Sequence, residues 1–277
     1  VDNVFDKMFY SEGRLLAGID ESGVIDIAGP LVSACVILPR IDPTKDDLKI
    51  FQVDDSKKVR GEKLRMALAE VIWSTAVAIG IGEVSPAEID YLSKSNAISL
   101  AGLRAVMACK SVRTQEPIMP NFLLVDGKIK IPTQIRQARI QAGDGKSLCI
   151  ASASIIAKVY RDGIMHKLHE SFPFYAWDKN KGHPRDPKHL EGLDKFGAQP
   201  GIHRLKHWPF AQEPSYKREL MTEAERTKWR ERRQQWHQRT MARMAREVCP
   251  QRWTLNPPLW QPSPNSNWQP QEAAISG

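Results

Sequence analysis

The sequence predicts an α/β fold, and three observations carry that assignment. Two nearly continuous apolar runs, residues 14–20 and 30–38, have the pattern of buried strands. Segments of helical periodicity follow them and alternate with further short apolar runs. The 277 residues are 42% hydrophobic and 26% charged, values ordinary for a soluble globular protein and sufficient for a core without staples.

The elements can be justified in order. The first strand, 14–20, ends on Asp20-Glu21-Ser22-Gly23, and the second, 30–38, follows a short connection. Residues 61–73 read as a helix with Leu64, Leu68, Val71 and Ile72 on one side. Residues 75–84 read as a third strand. Ser85-Pro86-Ala87-Glu88 is a helix start, with serine at the cap, proline in the first turn and glutamate closing a capping box. A longer helix is expected from about 96 to 110. Phe122–Gly127 is a fourth strand ending in a turn, and 138–142 a short fifth. Residues 145–170 are helical, with Leu148, Ser152, Ile155 and Val159 on one face. The small residues Ala151-Ser152-Ala153-Ser154 allow that helix to approach the sheet closely. Loop-like composition then runs from Phe172 to Trp208, broken by a short helix near 187–196.

Beyond about residue 213 the character changes. Thr222 and Glu225 form a capping box before a long basic helix. Between Tyr216 and Glu247 ten Lys or Arg face five Glu, a net +5 that is most of the chain's +8. This extension, 214–249, reads either as a helix packed through Trp229 and Trp236 or as an added arm for duplex phosphates. The final 250–277, with six prolines and little aliphatic content, is expected to be disordered.

Several classes are excluded. The four cysteines show no Cys-x-x-Cys spacing, against a zinc ribbon or a disulfide framework, and a reducing cytoplasm is the expected compartment. The N-terminus has no basic region followed by an apolar run, and no apolar stretch is long enough to span a membrane. The basic excess favours polyanionic partners.

The chemistry begins at Asp20-Glu21. Two adjacent carboxylates at the end of an otherwise apolar strand repel each other and lose hydration, and a divalent cation would remove both penalties. Asp126 ends another strand, and Asp144 stands immediately before the long helix. Strands ending at one sheet edge would gather Asp20, Glu21 and Asp126, with Asp144 reaching in from the helix start. Each has a plainer alternative: Asp126 as a turn residue, Asp144 as a helix cap. Taken together they suit a hard, oxygen-seeking ion such as Mg²⁺ or Mn²⁺. Paired ions of this kind act well on a phosphodiester. Asp162 lies 18 residues past Asp144, about 27 Å along a continuous helix, and is therefore read as a structural ion-pairing residue beside Arg161.

The motifs resemble those of the type 2 ribonucleases H, ribonuclease HII most of all. The similarity lies in Gly18-Ile19-Asp20-Glu21-Ser22-Gly23 with Ala28-Gly29-Pro30-Leu31-Val32, in Asp55-Ser56-Lys57-Lys58-Val59 and in Leu124-Val125-Asp126-Gly127. It continues through Gly143-Asp144, the stretch Ala151–Asp162, Lys181-Gly182-His183, His189 and His203-Arg204, so covering roughly 14–210. The resemblance implies a ribonuclease H-like fold over 1–213, a mixed central sheet flanked by helices. It implies hydrolysis of the RNA strand of RNA–DNA hybrids, or of ribonucleotide-containing duplex DNA, to 3′-hydroxyl and 5′-phosphate ends with Mg²⁺ or Mn²⁺. Its four metal-binding acids carry over onto Asp20, Glu21, Asp126 and Asp144. Gly23, Ser56, Lys57, Lys58, Lys181 and His183 are the expected substrate-binding residues, and a monomer is the expected state.

Two departures fall on substrate discrimination. The family's Gly-Arg-Gly is Gly23-Val24-Ile25 here, followed by Asp26 where ribonuclease HII usually has proline. Stiff β-branched residues cannot copy a glycine's conformation or its close approach. The family's stacking tyrosine is His183. The expectation is an endoribonuclease with weakened recognition of a single embedded ribonucleotide. The alternative is a catalytically silent hybrid- or duplex-binding protein on the same scaffold, against which the retention of all four acids argues.

Overall fold

The computed structural model describes residues 4–40 and 61–205, together with Thr227 and Glu231. A six-stranded mixed sheet occupies the centre. Its strands are β1 (Leu16–Ser22), β2 (Leu31–Ile37), β3 (Ala78–Val84), β4 (Lys110–Ser111), β5 (Phe122–Asp126) and β6 (Arg136–Ile140), in the spatial order β4-β3-β2-β1-β5-β6. The first four pair antiparallel, whereas β1–β5 and β5–β6 are parallel. The helices are α1 (Val4–Lys7), α2 (Glu62–Thr75), α3 (Pro86–Tyr91), α4 (Lys94–Met107), α5 (Leu148–Ser171), α6 (Trp177–Asn180) and α7 (Pro187–Phe196). The strands and long helices expected from the pattern are present, with boundaries shifted by a few residues. Three short elements without a sequence signal, α1, β4 and α6, are additional. Ser56, Lys57, Lys58, most of the basic extension and the proline-rich tail lie outside the described residues.

Alternation along the strands gives the sheet two apolar faces. Leu16, Val32, Ala34, Val36 and Leu124 pack under α2 and α5 with Leu68, Ile72, Ile150 and Ile155. Ala17, Ile19, Cys35, Ile37, Leu123 and Val125 pack under α4 with Ala105 and Val106. Helix α5 lies tightly on β1: a Cβ placed on Gly18 would fall 2.1 Å from the Cys149 carbonyl carbon and 2.4 Å from the Ile150 nitrogen. The start of α5 is capped twice. Ser147 Oγ accepts from the Ile150 amide at 3.2 Å, and the buried Asp6 of α1 accepts from the Cys149 amide at 3.0 Å. The capping box predicted at Ser85–Glu88 is formed, with Glu88 also paired to Arg104 at 2.7 Å. No described helix is long and apolar enough to cross a membrane.

A third apolar cluster joins the end of α5 to the C-terminal segment through Ile27, Met165, Leu168, Tyr175, Trp177, Leu193 and Ile202. Within it His189 and His203 are buried with Nε2 atoms 3.1 Å apart. Trp177 Nε1 donates to His189 Nε2 at 3.1 Å, and the Gln199 amide donates to His203 Nδ1 at 2.8 Å. The network therefore assigns both rings as neutral, with His203 Nε2–H facing His189 and His189 Nδ1–H facing the His183 carbonyl at 3.0 Å. Burial pushes His189 down to about 4 and His203 well below its ordinary value. Unfolding exposes both to water, where they take up protons near pH 6.5. Stability is thus fully present above about pH 6.5 and is lost as the pH falls towards 4. We expect urea denaturation to show a loss on the order of 3 kcal/mol per buried histidine across that window, and a His189→Gln variant to lose less.

Candidate metal centre and active site

The parallel pairing of β1 and β5 positions the site. The register runs Leu16 with Phe122 to Ile19 with Val125, so continuing it one residue sets Asp20 beside Asp126. Asp20 shares the sheet face of Leu16 and Gly18, and Asp126 that of Leu124. Asp126 is opposite Ile140 on β6, and its Oδ1 accepts from the Gly143 amide at 2.6 Å. That bond ties it to the 3₁₀ turn Gly143–Gly145, which carries Asp144. The sheet edge and this turn thereby bring Asp20, Glu21, Asp126 and Asp144 to one end of the parallel strands. Asp144 does not cap α5, because Ser147 does.

Burial makes this edge electrostatically costly. Asp20 is 5% exposed and Asp144 3%, whereas Glu21 and Asp126 are half-buried. Loss of hydration, then the charges of Glu21 and Asp126, push the Asp20 carboxyl well above the usual carboxylate range. The Ser154 hydroxyl and the Glu21 amide, 2.7 Å from Asp20 Oδ1, oppose the shift. The donors are all oxygens and all anionic when ionised, the set preferred by Mg²⁺ and Mn²⁺. A divalent ion would offset the repulsion that Asp20 experiences, so the residues fit such a group. Among the described residues no three His, Cys, Asp or Glu side chains are drawn together tightly enough to hold an ion as they stand.

A model of the ribonuclease HII family matches residues 17–210. The chain belongs to the ribonuclease HII family. The ribonuclease HII of Caldanaerobacter subterraneus subsp. tengcongensis is 44% identical over 202 residues, covering 72% of this chain and 77% of that one. In fold, the chain is similar to the crystal structure of ribonuclease H2 from Pyrococcus horikoshii OT3, with a TM-score of 0.59 at 21% identity over 80% of this chain and 98% of that one. It is also similar to Bst-RNase HIII in complex with Mn²⁺, with a TM-score of 0.54 at 17% identity over 72% and 69% of the two chains. As a ribonuclease HII the chain is a ribonuclease H-type endoribonuclease.

Gly23 follows directly on β1 with φ 91°, and a Cβ there would lie 2.1 Å from Arg161 Nε. His183 is half-buried, with its Nδ1 accepting from the Arg185 amide at 3.2 Å. Lys181 is turned inward: its Nζ donates to the Asp178 carbonyl at 2.6 Å and lies 2.6 Å from His166 Nε2 and 3.6 Å from Glu62. Asp162 is an ion-pairing residue on a continuous α5, but its partners are Lys158 at 2.6 Å and Arg65 at 3.9 Å, not Arg161. Sequence reasoning missed Ser154. The Ala-Ser-Ala-Ser run reads as small residues for close packing, and only the helix phase over Asp20 distinguishes the last serine as a hydrogen-bond donor. Arg161 was also missed, because an arginine next to an aspartate on a helix reads as a surface pair.

Proposed function

We propose that this ribonuclease HII hydrolyses the RNA strand of RNA–DNA hybrids, leaving 3′-hydroxyl and 5′-phosphate ends, with Asp20, Glu21, Asp126 and Asp144 holding Mg²⁺ or Mn²⁺. The observation that carries the reading is the juxtaposition of the buried Asp20 with Asp126 across the β1–β5 register. When bound, the divalent ions supply the Lewis acidity that such a phosphodiester hydrolysis requires. The chain's own residues supply the rest. Ser154 and the Glu21 amide fix one orientation of the Asp20 carboxylate, and Gly143 fixes that of Asp126. Pre-set donors of this kind need no rearrangement when substrate arrives. The basic Lys57 and Lys58, with the +8 net charge, suit a phosphate backbone.

Recognition of a lone ribonucleotide is weakened. Val24 is packed into the apolar cluster of Leu31, Val84, Ile89 and Ile98, and Ile25 stands 63% exposed. Neither side chain offers a cation to phosphate, and neither residue has the steric freedom of glycine for close approach of the backbone to a ribose. The test is a cleavage panel in Mg²⁺ and in Mn²⁺, using a continuous hybrid, a duplex with one ribonucleotide, and duplex DNA. Hybrid cleavage that disappears with EDTA, with at least about tenfold lower kcat/KM at the single ribonucleotide, is expected. Equal or better cutting at the single ribonucleotide would refute the specificity, and no hybrid cleavage would refute the activity.

A further inference from the structure

Three pieces of chain meet at Arg161, a cation with no exposed surface. Its Nε donates to the Pro30 carbonyl at 2.9 Å, Nη2 to Ala28 at 2.9 Å and Nη1 to Lys181 at 3.0 Å. Nη1 also pairs with Asp26 at 2.9 Å. The first piece, Gly23–Pro30, continues directly from the carboxylates of β1. The second, Lys181–His183, crosses it, with the Ile27 amide donating to the Gly182 carbonyl at 3.0 Å. The third carries Arg204, whose amide donates to Ile27 at 2.8 Å and whose guanidinium donates to Gly29 at 3.0 and 3.1 Å.

The contacts differ in kind. Carbonyls at 28, 30 and 181 would be offered by any sequence that followed this backbone. Asp26 is the position at which a side chain brings charge to Arg161. Burial first, and then the nearby Arg161, hold the Arg204 guanidinium down at about 9, while Asp26 and Asp90 act against both. Asp26 thus offsets the charge of two buried cations as well as fastening the loop. The proline expected here from the family resemblance has no carboxylate to give. With Val24 turned inward and Asp26 held by Arg161, Ile25 is left as the outward-pointing residue of the connection next to the acids.

We propose that Asp26 is a positioning residue for substrate discrimination: its ion pair with Arg161 locks the Gly23–Pro30 loop against the Lys181–His183 turn in the arrangement that tells a continuous hybrid from a duplex with one ribonucleotide. This rests on the nuclease reading above. The loop, once released, moves relative to the carboxylates without altering them, so binding discrimination changes more than turnover.

The test compares the native protein with Asp26→Ala, Asp26→Asn and Asp26→Glu. For both substrates kcat and KM are measured, together with Tm and the dissociation constants for the same duplexes without divalent ions, by fluorescence anisotropy. Asp26→Ala should change the ratio of the two kcat/KM values at least about fivefold, mainly through KM. Asp26→Glu should bring the ratio back to within about twofold of the native protein. Asp26→Asn, which removes the charge and keeps the shape, serves if the alanine variant does not fold. A ratio that stays unchanged while Tm falls reduces Asp26 to a structural role and overturns the proposal. Should the native protein cut neither substrate, the nuclease reading fails by itself. The ratio of dissociation constants then decides, and an unchanged ratio again overturns the proposal.

Discussion

Asp20→Asn lowers hybrid cleavage by at least ~10³-fold, equivalent to about 4 kcal/mol of transition-state stabilisation. Asparagine matches aspartate in shape and keeps an oxygen for the Glu21 amide, but it brings no negative charge to a divalent ion. Asp20 is also almost without water around it, so no solvent-held substitute replaces the lost ligand. Binding of the duplex depends on phosphate contacts elsewhere and changes by less than about threefold. In EDTA the variant is expected to be more stable than the native protein, because a buried charge facing Glu21 and Asp126 has been removed. Single-turnover cleavage, anisotropy with the same hybrid and thermal melts in EDTA check the three parts. Near-native cleavage would remove Asp20 from the site, and loss of binding together with cleavage would point to a general structural defect.

Gly18→Ala destabilises the domain by about 3 kcal/mol or more, because the added methyl has nowhere to go. Its neighbours are the backbone of Cys149 and Ile150, at the doubly capped start of α5, and not a side chain that could rotate away. For a domain of this size the Tm falls by roughly 6–12 °C. Relief would have to come from lifting α5, which carries Ser154 away from Asp20. Cleavage measured well below the new Tm should therefore also fall. An alanine variant with native Tm would mean that strand and helix are less tightly apposed than the geometry indicates.

Much of the fold was legible because β1 and β2 are nearly pure apolar runs and α5 repeats at helical spacing. The four acids were legible as a set for a physical reason: charges that end apolar strands are unusual enough to need a partner. What the sequence could not convey was pairing across the sheet. Nothing in Leu16–Ser22 or Phe122–Asp126 specifies that the two run parallel and in the register that sets Asp20 beside Asp126. Nor could it show the inward turn of Lys181, whose neighbours in the chain are polar and whose partners Glu62 and His166 come from α2 and α5. Arg161 was hidden for the same reason. Three of its acceptors are backbone carbonyls, which carry no residue identity.

The side of β1 that meets β5 has a temporal consequence. Asp20 and Glu21 are synthesised before β5, and the antiparallel hairpin to β2 can close as soon as Ile37 has emerged. On its other side β1 waits for a strand far downstream, since Leu15 bonds to Asn121 across 106 positions. Loop closure over such a span is slow compared with a hairpin. Until β5 is made, the first two acids stand on a strand whose β5 side is unpaired, with Asp126 not yet beside them. Their crowding by Asp126 is added when β5 docks, and the Gly143–Gly145 turn follows. The four carboxylates therefore come together only after β5 and the Gly143–Gly145 turn have been made.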